Sequence, residues 1–380
     1  MNKPYPWLEI NLENLKYNVN TLKSFLDPKV KFMAVVKSNA YGHGMVQIAK
    51  EASVAGADWF GVFTVEEALK LRKNRLQKPI LVFGPVSEDD IRQAVAKNIT
   101  LTVYNRENAK LISKIAIKAR KACDIHIKVN TGMNRLGIDS EEAVDFVKYI
   151  KRLPKVNLDG IYSHFAAAGS TNRTYTFKQL GTFQELIIKL DRLGLRPPVA
   201  HIANSAAALE IPSSHLDLVR CGIAIYGLFS NARLSTYFDL KPVLEFKTQL
   251  IEFRKLSGGE KVSYDCTYTT PKPTLVGIVP VGYTHGYDFK FSNRGKMLLD
   301  GRRAPVIGRV CMEFTLLDIT DIPDAKTGDE VIILGKQGNE NITAGELAGY
   351  LDSINYETVT KIPESVKRIY VRNKTKEKSK

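Results

Sequence analysis

A lysine directly after an apolar, β-branched run is the first place where this chain offers chemistry. Lys37 ends the run Phe32-Met33-Ala34-Val35-Val36, and a small-residue loop holding Gly42 and Gly44 separates it from a helix expected over 45–55. That order reads as a buried parallel strand delivering one amine to its C-terminal end, where α/β folds bind ligands. An amine held partly out of water loses proton affinity and becomes a nucleophile toward carbonyls. Tyr41, four residues on, can turn its hydroxyl to the same pocket, and the two glycines let backbone approach a ligand closely. A lone lysine more often only solvates a surface, so the reading depends on what else collects nearby.

The elements that must position it repeat. A strand is expected over 7–11 and a helix over 12–26. From there strand-like runs recur at 32–36, 59–63, 80–83, 101–104, 125–129, 158–162, 199–202 and 216–219. Helical patterns over 64–74, 88–97 and 141–152 lie between them, two with acids after a serine cap, Ser87 and Ser140. Eight βα repeats in about 200 residues fit a (β/α)8 TIM barrel. An open doubly wound sheet would call for a phosphate loop of the G-x-G-x-x-G kind, and none is present. Beyond about residue 238 the chain alternates in short segments at 244–254, 274–281, 296–299, 304–310, 314–318 and 330–334. Turns such as Asp300-Gly301 separate them, and one helix is expected over 343–351. The expectation is an α/β barrel over 1–237 followed by a mostly-β domain over 238–380, with strand 7–11 free to join the second domain.

The barrel reading is tested by where polar side chains fall. Lys37 follows strand one, and Arg135 lies in a Gly-containing loop after strand five. His164 follows strand six, Asn204 and Ser205 strand seven, and Arg220 strand eight. Singly, His164 reads as a core histidine, the arginines as ion-pair partners and Ser205 as a helix cap. Five strand ends with polar side chains on one face are not a chance pattern. The last strands of such barrels often form a phosphate site from backbone N–H groups. Ser205, Gly222 and Ile223 are therefore the expected cradle, with Tyr41 as a further donor.

A net charge of +15 is spread over surface helices and the last stretch, without a zinc finger or recognition-helix motif, so no nucleic acid is expected. It would still attract anionic metabolites. Cys123, Cys221, Cys266 and Cys311 show no zinc or redox spacing, and the histidines no metal pattern, so no metal is expected. Neither an apolar leader nor a bilayer-length run is visible; the expectation is a cytoplasmic protein with no membrane contact.

The run VVKSNAYGHG resembles the cofactor-lysine signature of the alanine racemases, which use pyridoxal 5′-phosphate. KVNTGMNRLG, IYSHFA, HIANSAA, VRCGIAIYGL, KVSYDCTY, VGYTHGY, SNRG, GRVCME and INYE resemble further blocks of that family, in family order. The resemblance covers nearly the whole chain. It implies a head-to-tail homodimer with shared active sites, interconverting L- and D-alanine and supplying D-alanine for peptidoglycan. Lys37 would hold the cofactor, and Asn204 lies in one of its binding blocks. Arg220 would donate to the pyridine nitrogen; a guanidinium neither accepts nor releases a proton there, which leaves the electron sink weak. Lys37 and the partner's Tyr264 would be two bases on opposite faces of the α-carbon, Lys37 for the D-enantiomer and Tyr264 for the L-enantiomer. A phenol with an ordinary pKa of about 10 needs help to act as a base, here from His164, itself linked toward Arg220. Arg135 would bond the cofactor phenolic oxygen and the substrate carboxylate, assisted by the partner's Met312 N–H. Tyr283 and Tyr356 would narrow the entrance, Tyr356 also reaching the phosphate, and Lys128 occupies a position that some members carbamylate. Three positions depart from the family pattern. Cys221 replaces a more usual proline, Asp265 a glycine and Glu313 an aspartate. These bear on substrate range, where serine or another small amino acid would be the alternative. A cofactor-holding protein without catalysis would resemble the barrel alone.

Overall fold

The structure is a computed structural model that describes residues 6–372. Eight parallel strands form one continuous ladder: Lys31–Val35, Trp59–Val62, Ile80–Val82, Thr100–Val103, Cys123–Asn130, Val156–Tyr162, Val199–His201 and Leu218–Cys221. The last strand pairs with the first, Arg220 opposite Met33. At the remaining seam, Asp217 N–H donates to Ala200 O and Arg220 N–H to Ala203 O, both at 3.1 Å. Such near-closure requires strands apolar on both faces, and strands one to four are buried throughout apart from Lys31. Met33, Trp59, Leu81, Tyr162, Val199 and Leu218 fill the interior.

The expected βα alternation is present, with corrections at the ends. Arg220 lies inside the eighth strand rather than past it, because the strand runs Leu218–Cys221 and not 216–219. Arg220 shares parity with interior Leu218, so its side chain enters the barrel. Thr64 and Ser87 cap their helices through full capping boxes with Glu67 and Asp90. Ser140 does not; that helix starts at Ala143 without a side-chain cap.

The chain divides into two compact units. The barrel unit is Leu15–Ala40 with Met45–Lys241, and the other contains 1–14, 41–44 and 242–380 in its described parts. In the second, Trp7–Asn11 pairs antiparallel with Leu244–Gln249 and parallel with Lys367–Val371. The expected strand 244–254 is two strands broken at Leu250, and the expected 304–310 is Arg302–Pro305. Asp300 and Gly301, both at positive φ, form the tight turn into it. Lys367–Val371 is a strand, so the chain is still paired at Val371. Residues 373–380 of the charged last stretch lie outside the described residues, as do residues 1–5. No described helix is long and apolar enough to cross a membrane.

Candidate active site

Lys37 follows strand one after a single residue, Val36, and opens an unusual turn. Ser38, Asn39, Ala40 and Tyr41 all have φ between 51 and 55°, a left-handed turn made without glycine. Such backbone costs about 1–2 kcal/mol per residue, so neighbours must hold it. Ala40 N–H donates to Val36 O at 2.8 Å, Glu67 Oε1 accepts from Ser38 N–H at 2.5 Å, and Asn39 Oδ1 accepts from Met45 N–H at 2.9 Å. The turn therefore fixes the lysine backbone from three sides. Burial first, and then the Arg135 charge, pushes the Lys37 amine below its ordinary pKa, while Glu67 pulls the other way. Its Nζ lies 5.9 Å from the Phe63 ring centroid.

Gly42 and Gly44 serve a different purpose from the one expected. A Cβ at Gly42 would run into Val359 O, and one at Gly44 into the Tyr370 hydroxyl; both residues have positive φ. The close approach they permit is to the second unit's own chain, whose Arg368 also donates to Gly42 O. Tyr41 belongs to that unit, its ring 6.2 Å from that of Tyr356.

Around the barrel interior four cations act on one histidine. Lys37, Lys128, Arg135 and Arg220 all depress the pKa of His164, which burial already pushes well below its usual range. The imidazole is therefore neutral. Lys128 is buried and is pushed down to about 8 by desolvation and then by Arg135, Arg220 and Lys37. Arg135 sits in a loop tied by Asn130, whose Oδ1 accepts from Gly132 and Asn134 N–H at 3.1 and 3.0 Å.

Arg220 is buried among neutral acceptors. Nη1 donates to His201 Nδ1 at 2.7 Å, and Nη2 is shared by Ser163 O, Ile202 O and His164 Nδ1 at 2.8, 3.0 and 3.1 Å. Burial lowers its pKa to about 10, so it stays charged at neutral pH. Among the described residues its Nε–H has no acceptor. The eighth strand end adds a small polar nest. Ser205 Oγ accepts from Gly222 N–H at 3.0 Å and from Ala224 N–H at 3.4 Å, which turns its own proton outward. The cap of helix Ser205–Glu210 is Asn204, accepting from Ala207 N–H at 3.2 Å, so Ser205 is not needed as a cap.

Tyr264 belongs to the second unit and is 69% exposed. It occupies a strained turn in which Ser263, Asp265 and Cys266 have φ of 64, 54 and 51°. Arg309 holds the turn: its carbonyl accepts from Ser263 Oγ at 2.7 Å, and its Nε lies 3.0 Å from Asp265 Oδ2. The Asp265 carboxylate is thus engaged with a cation. Tyr283 and Met312 are exposed in the same unit, where Tyr283 N–H donates to Cys311 O and Thr284 Oγ1 to Met312 O. Glu313 is also exposed. Cys221 is buried, its thiol pushed up to about 12, and pairs with Ala34 in the ladder.

The structure adds His201, Ser163 and Glu67, which the strand-end reading missed. His201 lies inside a strand, and the others contribute backbone or local contacts. Parity with Lys128 on one strand was the available signal for His126, which lies beside His201.

Residues 10–230 match the family model for the alanine racemase N-terminal domain, and 243–370 that for the C-terminal domain. The chain belongs to the alanine racemase family. It is 41% identical over 380 residues to an alanine racemase of Desulfosudis oleivorans, covering 97% of each chain. Among solved structures, the Clostridium difficile alanine racemase superposes with a TM-score of 0.94 at 33% identity, over 98% of this chain and 97% of that one. An alanine racemase from Bacillus anthracis, solved with bound L-Ala-P, gives 0.92 at 35% identity over 98% and 96%. Alanine racemase architecture, a barrel with helices plus a mostly-β C-terminal domain, is what the eight-strand ladder and second unit display.

Proposed function

We propose that this chain is a pyridoxal-phosphate-dependent enzyme that interconverts L- and D-alanine in the cytoplasm, providing D-alanine for peptidoglycan. Lys37 carries the reading. It is an amine of lowered proton affinity at the end of the first barrel strand, among cations that favour an anionic ligand.

The residues fit the cofactor. The Arg220 Nε–H suits an acceptor ring nitrogen, and a guanidinium donates that hydrogen bond without releasing its proton, so the nitrogen would stay unprotonated. Ser205 retains a hydroxyl proton for a phosphate oxygen, beside the backbone of Gly222 and Ile223, with Asn204, Tyr41 and Tyr356 as further cofactor-binding residues. Bound pyridoxal phosphate supplies an electron sink that acidifies the α-proton of an attached amino acid.

This chain's side chains then move the proton. Lys37, neutral when its depressed pKa is passed, takes or returns the α-proton on one face, serving the D-enantiomer. Tyr264 of the partner subunit does so on the other, serving the L-enantiomer. His164 accepts from Arg220 at Nδ1, so its proton lies on Nε2, where it can donate to the phenol oxygen and stabilise the phenolate. Arg135 holds the substrate carboxylate, with the partner subunit's Met312 N–H, while Tyr283 and Tyr356 admit only small side chains. Lys128, with a neutral share near pH 8, is suited to take up CO2 and brace Arg135. A homodimer with shared sites is supported by what one chain leaves exposed: Tyr264, Tyr283, Met312 and Phe314.

The test is incubation of protein and cofactor with L-alanine and, separately, L-serine, following the D-enantiomer. D-alanine should form fastest and vanish with Lys37→Ala, which should also abolish borohydride fixation of the cofactor. Fixation to a different lysine would refute the assignment.

A further inference from the structure

Next to Arg220 the barrel interior carries a line of polar side chains that the proposed chemistry does not use. His201 Nε2 and His126 Nδ1 are 2.9 Å apart, and His126 Nε2 lies 3.5 Å from Asp159 Oδ2, an electrostatic contact and not a hydrogen bond. Both imidazoles are fully buried, His201 stacked on Tyr162 and His126 tilted against Trp59. The fold makes specific room for them. Pairing of Cys123–Asn130 with Val156–Tyr162 slips so that Ile125 faces Leu158 but His126 faces Gly160. Asp159 is the extra residue of that bulge, a device that re-aims a side chain. A Cβ at Gly160 would lie 2.5 Å from His126 Nδ1, so glycine there admits the ring.

The proton positions follow from one fact: a guanidinium only donates. Nδ1 of His201 accepts from Arg220, so a neutral His201 carries its proton on Nε2 and donates to His126 Nδ1. His126 then holds its own proton on Nε2, facing Asp159. Burial and then neighbouring charge, Arg220 included, favour the neutral form of both rings, although Asp159 pulls His126 the other way. Charging His126 would set two N–H donors against each other across 2.9 Å. The chain forbids it.

We infer that Asp159 is a positioning residue that acts on Arg220 through His126 and His201: hydrogen bonds run one way from the guanidinium to His126, and the carboxylate charge acts on that last ring across 3.5 Å. The carboxylate makes His126 a stronger acceptor, and His126 does the same for His201. The Arg220–His201 bond tightens, and part of the guanidinium charge is drawn away from whatever its Nε–H meets. Only the catalytic consequence rests on the proposed pairing of Arg220 with a cofactor ring nitrogen; the proton placement does not.

Nitrogen NMR of the full-length protein labelled at histidine, with and without added pyridoxal phosphate, tests the chain. His126 and His201 should both be neutral with the proton on Nε2 across neutral pH. A proton on Nδ1 of either, or a charged His126, would overturn it. Asp159→Asn should shift the Nε2–H signals of both rings. A charge acting over on the order of ten ångströms at an effective dielectric of about 20 changes a rate by up to about tenfold. The variant should therefore lose up to about tenfold in kcat in both directions with KM for alanine little changed, and Asp159→Glu should recover part of it. A shift confined to His126 with unchanged kcat would overturn the positioning role. A protein with the expected proton placement that binds no pyridoxal phosphate would support the chain and refute the proposed function.

Discussion

Lys37 and Tyr264 meet their proposed tasks in different surroundings, and the difference is measurable. Burial and Arg135 weaken the lysine's hold on its proton, so activity in the D-to-L direction should rise with pH and level off below the ordinary lysine pKa. Removing the opposing charge with Glu67→Gln should move that rise to lower pH; a rise moved to higher pH would contradict the electrostatic assignment. Tyr264→Phe should slow removal of the L-alanine α-proton far more than removal of the D-alanine one, read by deuterium exchange. Equal losses would count against two bases. Lys37, His164 and Arg220 were legible in the sequence because each ends or closes an apolar run, where charge has no structural excuse. His126 and His201 were not, since a histidine within a strand looks like core filler until its partners are known.

The left-handed turn is the element-scale device, and it was invisible to pattern reading. Ser38-Asn39-Ala40-Tyr41 looks like any small-residue loop, and nothing in those types announces four consecutive positive φ angles. Asn39 is the member whose side chain both tolerates that backbone and caps the next helix through Met45 N–H. Asn39→Ala should cost roughly 1–2 kcal/mol in denaturant unfolding and reduce cofactor fixation at Lys37. Unchanged stability would mean the turn is held without it. Element types were otherwise readable from hydrophobic period and capping residues, as at Thr64 and Ser87. Boundaries were not: a two-residue shift put Arg220 inside its strand, because parity decides which way a side chain points but not where pairing stops.

At the scale of the whole molecule, the two-domain order was legible from the change of hydrophobic period near residue 238. The membership of Trp7–Asn11 was less so, since only pairing with Leu244–Gln249 and Lys367–Val371 decides it. Among the described residues no group of three or more His, Cys, Asp and Glu is placed to hold a metal ion. In the proposed assembly one chain owns the amine and another lends the phenol. Mixing Lys37→Ala with Tyr264→Phe, each deficient in L-alanine racemisation by itself, should restore that activity through hybrid dimers with one intact site. If subunit exchange is shown and no activity returns, the shared site is contradicted.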